Sequence, residues 1–388
     1  MWRRRKFWRR WRRCLKFVPN AYVYAPGLSV AVFDTPPPPG PPMTLDWLNV
    51  KDFGAVGNGT TNDAPAIQAA LNACDPNRGG TVYFPHPSYR VATGLTVPYH
   101  GTWLVGNGLP GMDVASGGST EIVSDNGITA ITCHTGSHSI RGFGFRNLRV
   151  CAKGGATSGH GIHVINAESC VFENVTVAGY VNGRGLFNDA GGGNSQYWSL
   201  YNFGAAQCLT GYEDTGPANG ARFFGGYFAG ATTPQAGSRA VWLKGSDTAK
   251  FFGTVVQGFA IGFDVQSMGA GYEWHGCRTE FCNRHFRFGS SARRARIYGG
   301  TISNFILGNP GAGSIGVEIA AGAEDILCDL AEISSVTTPF VDAGTRTRYG
   351  SSIAGKRIAA SSLGVIIGKV PYHDPTTGQF IGYLGVTS

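Results

Sequence analysis

The sequence predicts an all-β protein, a single-stranded parallel β-helix with one short capping helix in front. Three observations carry that expectation. The 388 residues are 42% hydrophobic and 12% aromatic but only 14% charged, and 59 are glycine. About 25% charge and half as much glycine are usual. Short apolar runs recur from about residue 80 to 345, with Gly, Asn or Ser between them. One amphipathic helix precedes them, and a helix followed only by repeated strands and turns needs a fold that stacks strands on themselves.

The helix is legible between Asn62 and Leu71. Asn62 and Asp63 are good N-caps, and Pro65 falls in the first turn, where a missing N–H does no harm. Ile67, Ala70 and Leu71 share one face. Such a short helix is marginal alone, and the open end of a strand stack needs a lid over its unpaired backbone groups.

The strand repeat is degenerate. Val175, Leu200, Phe223, Phe251, Trp274 and Ile297 line up as apolar centres of successive repeats. A propeller blade needs about 40–45 residues, which is too long here, whereas one coil of a parallel β-helix fits. About 12 coils at roughly 4.8 Å give a rod some 55–60 Å long. Each coil buries its apolar face only against its neighbours.

The ends differ from this body, and four segments are expected. Residues 1–17 form a flexible basic arm in which Arg3, Arg4, Arg5, Arg9, Arg10, Arg12 and Arg13 interleave with Trp8 and Trp11. With Lys6 and Lys16 the arm holds nine cations, and subtracting nine from the net charge of +8 leaves about −1 elsewhere. A nucleic-acid role for the body therefore gets no support. The arm itself suits an anionic membrane surface, a nucleic acid, or an acidic groove in a larger assembly, and the anchor reading is preferred. Residues 18–45 form a linker whose prolines at 36–39, 41 and 42 favour polyproline II. Met43 is a second candidate start. Residues 46–350 form the helix body, and 351–388 an assembly segment with a hairpin from Val370 to Leu384.

No run of 18 apolar residues exists, so no membrane-spanning helix is expected. Arg4-Arg5-Lys6-Phe7 has the look of a twin-arginine signal, but the following cations break its apolar core. Nine scattered cysteines lack any Cys-x-x-Cys spacing and read as buried apolar fillers, with no metal site and no cofactor implied.

Lys51-Asp52-Phe53-Gly54-Ala55, Asn58-Gly59 with Asn62-Asp63, Ala66-Ile67-Gln68-Ala69-Ala70 and Gly80-Thr81-Val82-Tyr83-Phe84-Pro85 resemble the cap and first coil of the pectate-lyase-like superfamily. Its members are right-handed parallel β-helices, among them polygalacturonase-like proteins and bacteriophage tailspikes. The resemblance implies a tailspike- or fibre-like virion protein, a homotrimer docked through its N-terminal arm, that binds and in some members degrades a bacterial surface polysaccharide. Two other readings stay open: a secreted polygalacturonase- or pectate-lyase-like enzyme, and a non-catalytic structural spike. Polygalacturonases carry Asn-Thr-Asp and Asp-Asp before Gly-His-Gly. Here Gly159-His160-Gly161 stands without them, so His160 reads as part of an ordinary coil. The calcium-binding carboxylate cluster of pectate lyases is not visible either.

Sugar hydrolysis usually needs two carboxylates about 5–9.5 Å apart, which neighbouring coils can supply. The catalytic candidates are Asp264, Glu273 and Glu280, with Glu213-Asp214 second. Tyr272, Trp274, His275 and Arg278 are the expected substrate-binding companions. A competing reading sets Glu273 between Lys250 and Arg296 on adjacent coils, as surface charge balance worth little energy. Arg293, Arg294 and Arg296 form a second basic patch, read as a solvated strand edge.

Overall fold

The structure, a computed structural model, describes residues 47–350 apart from 112–117, 135–138, 155–157, 192, 194, 270 and 305–312, and the backbone of 369–373 and 380–385. The basic arm and the linker lie outside the described residues. The body is a parallel β-solenoid of about 10 turns, fewer than the twelve expected, because inserted loops lengthen many coils. At about 4.8 Å per turn the stack is about 48 Å long.

One face is a ten-stranded parallel ladder that runs from Leu95–Val97 to Thr338–Asp342. The other strands form a 24-stranded sheet whose pairs are likewise parallel between successive coils. Lys369–His373 and Phe380–Gly385 pair antiparallel, in the stretch where the hairpin is expected.

The core is built of columns. Phe172, Leu200, Phe223, Phe251, Trp274 and Ile297 stand in register on successive coils. Stacking is face to face where rings meet, with centroids 4.5 Å apart for Phe223–Phe251 and 5.7 Å for Phe251–Trp274. The expected column is thus correct except at Val175, which pairs with Leu148 in another ladder. A left-handed residue, Asn174 at φ 52°, turns the chain between Phe172 and Val175.

That turn recurs in every coil of the middle body. Asn147, Asn174 and Asn202 hold it first, at φ between 49° and 54°, and Gly225, Gly253, Gly276 and Gly299 follow at φ between 60° and 68°. Asparagine and glycine are the residues that tolerate this region. The asparagine amides add a ladder of their own, at 3.1 Å from Asn174 to Asn147 and 3.1 Å from Asn202 to Asn174.

The helix spans Ala64–Asn72 and buries Ala64, Ile67, Ala70 and Leu71. Its caps work differently from the expectation. The Asp63 carboxylate does not cap the helix; it accepts the backbone N–H groups of Val56 (2.7 Å) and Gly57 (3.1 Å) and ties the glycine turn to the helix start. Asn62 Oδ1 accepts from Ala64 (3.3 Å) and from Ala92 on the next coil (2.9 Å). The eight described cysteines are buried and free. Among the described residues, no helix is long and apolar enough to cross a membrane, and no group of three or more His, Cys, Asp or Glu side chains is placed to hold a metal.

Candidate functional site

Asp264, Glu273 and Glu280 belong to a single coil but to three different ladders. Asp264 stands in the ten-stranded ladder, paired with Trp242 and Arg287. Glu273 pairs with Lys250 and Arg296, and Glu280 with Gln257 and Ser303. The turn at Gly276 separates the last two. The structure thus sets the three expected catalytic residues on separate ladders, each engaged by its own cations: Asp264 by Arg239 and Arg287, Glu273 by Lys250, and Glu280 by Arg278.

Their companions scatter for a simpler reason. Side chains alternate along a strand, so Glu273 and His275 face outward while Tyr272 and Trp274 are 0% exposed in the core. A buried ring offers no surface to a sugar, and both leave the site. His275 is partly exposed, but its ring lies between Phe252 and Tyr298, 4.9 Å from each. With both faces covered, only its edge looks out. Arg278 engages Glu280 on its own strand, which itself is 6% exposed.

Glu273 does sit between Lys250 and Arg296, as the charge-balance reading has it. Lys250 Nζ lies 3.2 Å and His275 Nε2 3.0 Å from its carboxylate. The His275 hydrogen bond, with the lysine behind it, holds that carboxyl below its ordinary pKa.

The chemistry gathers instead on the outer face of the ten-stranded ladder. Glu213 is 1% and Asp264 0% exposed although both point away from the core column. Arg184 forks onto Glu213, with Nε at 2.6 Å and Nη2 at 3.1 Å, and Lys244 Nζ joins at 3.2 Å. Arg239 Nε lies 2.7 Å from Asp264 Oδ2, and Arg287 reaches both oxygens at 3.0 Å. Gln266 Nε2 completes the set at 2.7 Å. Trp242, between the two acids in register, has the Arg239 guanidinium 3.8 Å and the Lys244 ammonium 4.4 Å from its ring centroid. Arg184 lies 4.4 Å over Phe187.

Phe187 stacks on His163 at 4.7 Å, and His160 meets both rings edge-on. Burial, then the Arg184 charge, pushes His160 down to about 4. Burial also lowers His163, against the pull of Asp189 3.4 Å away. Both rings are therefore neutral at pH 7 and serve as packing and hydrogen-bonding groups.

Of these residues the sequence reading offered as functional only Asp264, with Glu213 as a second choice, and read His160 as part of an ordinary coil. Its missed signal is a strand pattern: Arg184-x-x-Phe187, Arg239-x-x-Trp242 and Arg284-x-x-Arg287 alternate with Gly211-Tyr212-Glu213, Gly262-Phe263-Asp264 and Gly316-Val317-Glu318.

Residues 47–198 match the family described as rhamnogalacturonase A/epimerase, pectate lyase-like. The mannuronan C5-epimerase AlgE3 of Azotobacter vinelandii is 36% identical over 122 residues, which are 29% of this chain and 6% of that protein. Alginate lyase 7 of the same organism is 59% identical over 46 residues, 12% of this chain and 5% of that one. The chain therefore spans only a small part of these curated relatives. The tailspike protein of Acinetobacter baumannii phage AM24 superposes with a TM-score of 0.52 at 9% identity, over 78% of this chain and 54% of that chain, a likeness of fold alone. The chain is thus a parallel β-solenoid whose residues 47–198 are similar to a pectate lyase-like family.

Proposed function

We propose that this protein binds a surface polysaccharide along the outer face of its ten-stranded ladder, as a tailspike-like component of a virus particle. One observation carries the reading. Arginine heads and aromatic rings stand outward in a row, each arginine held in place by a carboxylate that is itself almost fully buried. Sugars are recognised by apolar ring faces with a few fixed polar groups, and a guanidinium already oriented from behind loses little freedom on binding.

The same arrangement favours binding over cleavage. A glycosidase needs two carboxylates that reach the scissile bond. Glu213 and Asp264 are two coils apart, about 9.6 Å, a suitable separation, but their oxygens are taken up by cations and shielded from solvent. A polysaccharide hydrolase or lyase remains the second reading, favoured by the pectate lyase-like family match.

Residues 1–17 are the proposed anchor to a virion and 18–45 the proposed linker. Self-association into a trimer is part of the proposal. The stacked row Tyr201, Phe224, Phe252, His275 and Tyr298 presents ring edges along one outer face, and a flat apolar stripe of that kind suits a second copy.

A bacterial glycan array with reducing-end detection tests the central claim. Bound glycans without new reducing ends are expected, and binding is lost in Trp242→Ala. Reducing sugar released from polygalacturonate would move the assignment to an enzyme. No retained glycan would end it.

A further inference from the structure

The outer face of the ten-stranded ladder repeats every second coil. Arg184, Arg239 and Arg284 occupy one outer position on alternate strands, and Thr210, Ile261 and Ile315 fill that position on the strands between. Each arginine reaches diagonally forward to the acid of the next coil: Glu213 at 2.6 Å, Asp264 at 2.7 Å, Glu318 at 2.7 Å. In the first two units the arginine also lies over the ring of its own strand, Phe187 or Trp242. In the third, Arg287 stands where the ring would be.

The unit is therefore guanidinium over ring, then buried acid, complete twice along the ladder, and a third time with Arg287 in place of the ring and a partly exposed Glu318. Successive coils rise about 4.8 Å, so like groups recur about every 9.6 Å. One pyranose of an extended glycan advances its chain by about one coil rise. Two coils then correspond to two sugars. Glu213 and Asp264 are hidden and Glu318 is 26% exposed, while the arginine side chains are 31%, 19% and 41% exposed, so the first two units offer cations, not anions, at that interval.

We infer that this face reads a linear glycan with a two-sugar repeat and one anionic group in each repeat, lying along the solenoid axis. The anionic group of each repeat meets an arginine, and in the first two units its neighbour packs by the outward edge of that unit's ring. Three units accommodate about six sugars, and the last binds by charge alone. A glycan with a charge on every sugar would set every second anion against Thr210, Ile261 or Ile315, where no cation stands in that position. The inference rests on the polysaccharide-binding reading and goes beyond it in fixing the repeat.

Calorimetric titration of the full chain with length-defined oligosaccharides tests it. Hyaluronan, chondroitin and heparosan fragments carry one carboxylate per two sugars, oligogalacturonates one per sugar, and dextran fragments none. The expected result is a staircase for at least one alternating series: roughly tenfold tighter binding for each added disaccharide, little change for a single added sugar, and a plateau near six. Arg239→Gln lowers hexasaccharide affinity roughly tenfold, and Arg239→Lys recovers part of it. Should Arg239→Gln fail to fold, Trp242→Leu serves, with the same loss expected and its melting curve as control. An even gain per sugar, oligogalacturonate binding tighter than every alternating series, or array hits confined to glycans without a two-sugar repeat would each overturn the inference. Absence of all glycan binding instead refutes the reading beneath it.

Discussion

Gln68 closes the front edge of the ten-stranded ladder through Thr96. Its Nε2 donates to the Thr96 carbonyl at 2.9 Å, and its Oε1 accepts the Thr96 N–H at 2.8 Å. Thr96 lies on the first strand of that ladder, which has a strand partner on one side only. One side-chain amide thus imitates the missing strand. The helix is a lid in a literal sense: its apolar face covers the core and its glutamine pairs the exposed backbone.

Replacing Gln68 by Ala removes both bonds and leaves a bare edge. A loss of about 1–2 kcal/mol is expected, read as a lower urea midpoint with unchanged slope. Faster aggregation on heating should accompany it, because an open edge templates pairing with another chain.

Asp264 and Glu273 separate a structural acid from a surface one. Asp264→Ala strands Arg239 and Arg287 around a void and is expected to cost about 3–5 kcal/mol. Glu273→Gln leaves a partly exposed Lys250 and His275 and should cost less than about 1 kcal/mol. Equal costs in chemical denaturation would contradict the burial difference between them.

Asp214 faces inward, 0% exposed, and one oxygen accepts the N–H groups of Lys244 (2.9 Å), Gly245 (2.9 Å) and Ser246 (3.1 Å). Burial outweighs those bonds and raises its pKa to about 6. An unfolded aspartate titrates near 4, so between about 4 and 6 the native state holds the extra proton. Its contribution is full below that window and fades as pH rises through it. Asp214→Asn keeps an acceptor for the three N–H groups and should flatten stability against pH across the window.

His285 works in the opposite sense. The equivalent position is glycine on the strands before and after it, Gly262 and Gly316. The imidazole is buried, its Nδ1 2.9 Å from Thr279 Oγ1, and burial lowers its pKa to about 3. An unfolded histidine titrates near 6.5. Below that value the unfolded state takes up the proton first, so native stability is lost progressively as pH falls from about 6.5 toward 3. His285→Ala should be less stable at pH 7 and lose less on acidification than the parent, as followed by circular dichroism melts.

Much of the body was legible before any coordinates. The core column through Phe223, Phe251, Trp274 and Ile297 follows from apolar spacing, and the Lys250–Glu273–Arg296 row falls out of the same alignment. Trp274 shows where that reading stopped short. It marked the core and was also offered as a sugar platform, and strand alternation forbids both when Glu273 beside it faces outward. The Arg–ring–acid alternation was present in the letters too. It stayed hidden because coils of unequal loop length mask a two-coil period until the strands are set in register.

The amino-acid pattern alone determined that this chain stacks parallel strands under one helix, because repeated short apolar runs with Gly and Asn between them have no other way to bury their faces. Only the tertiary structure decided which acids share a surface. Left-handed turns such as Gly276 send consecutive strands of one coil into different ladders, so residues close in the chain part, and Glu213 and Asp264, far apart in it, come to flank a single tryptophan.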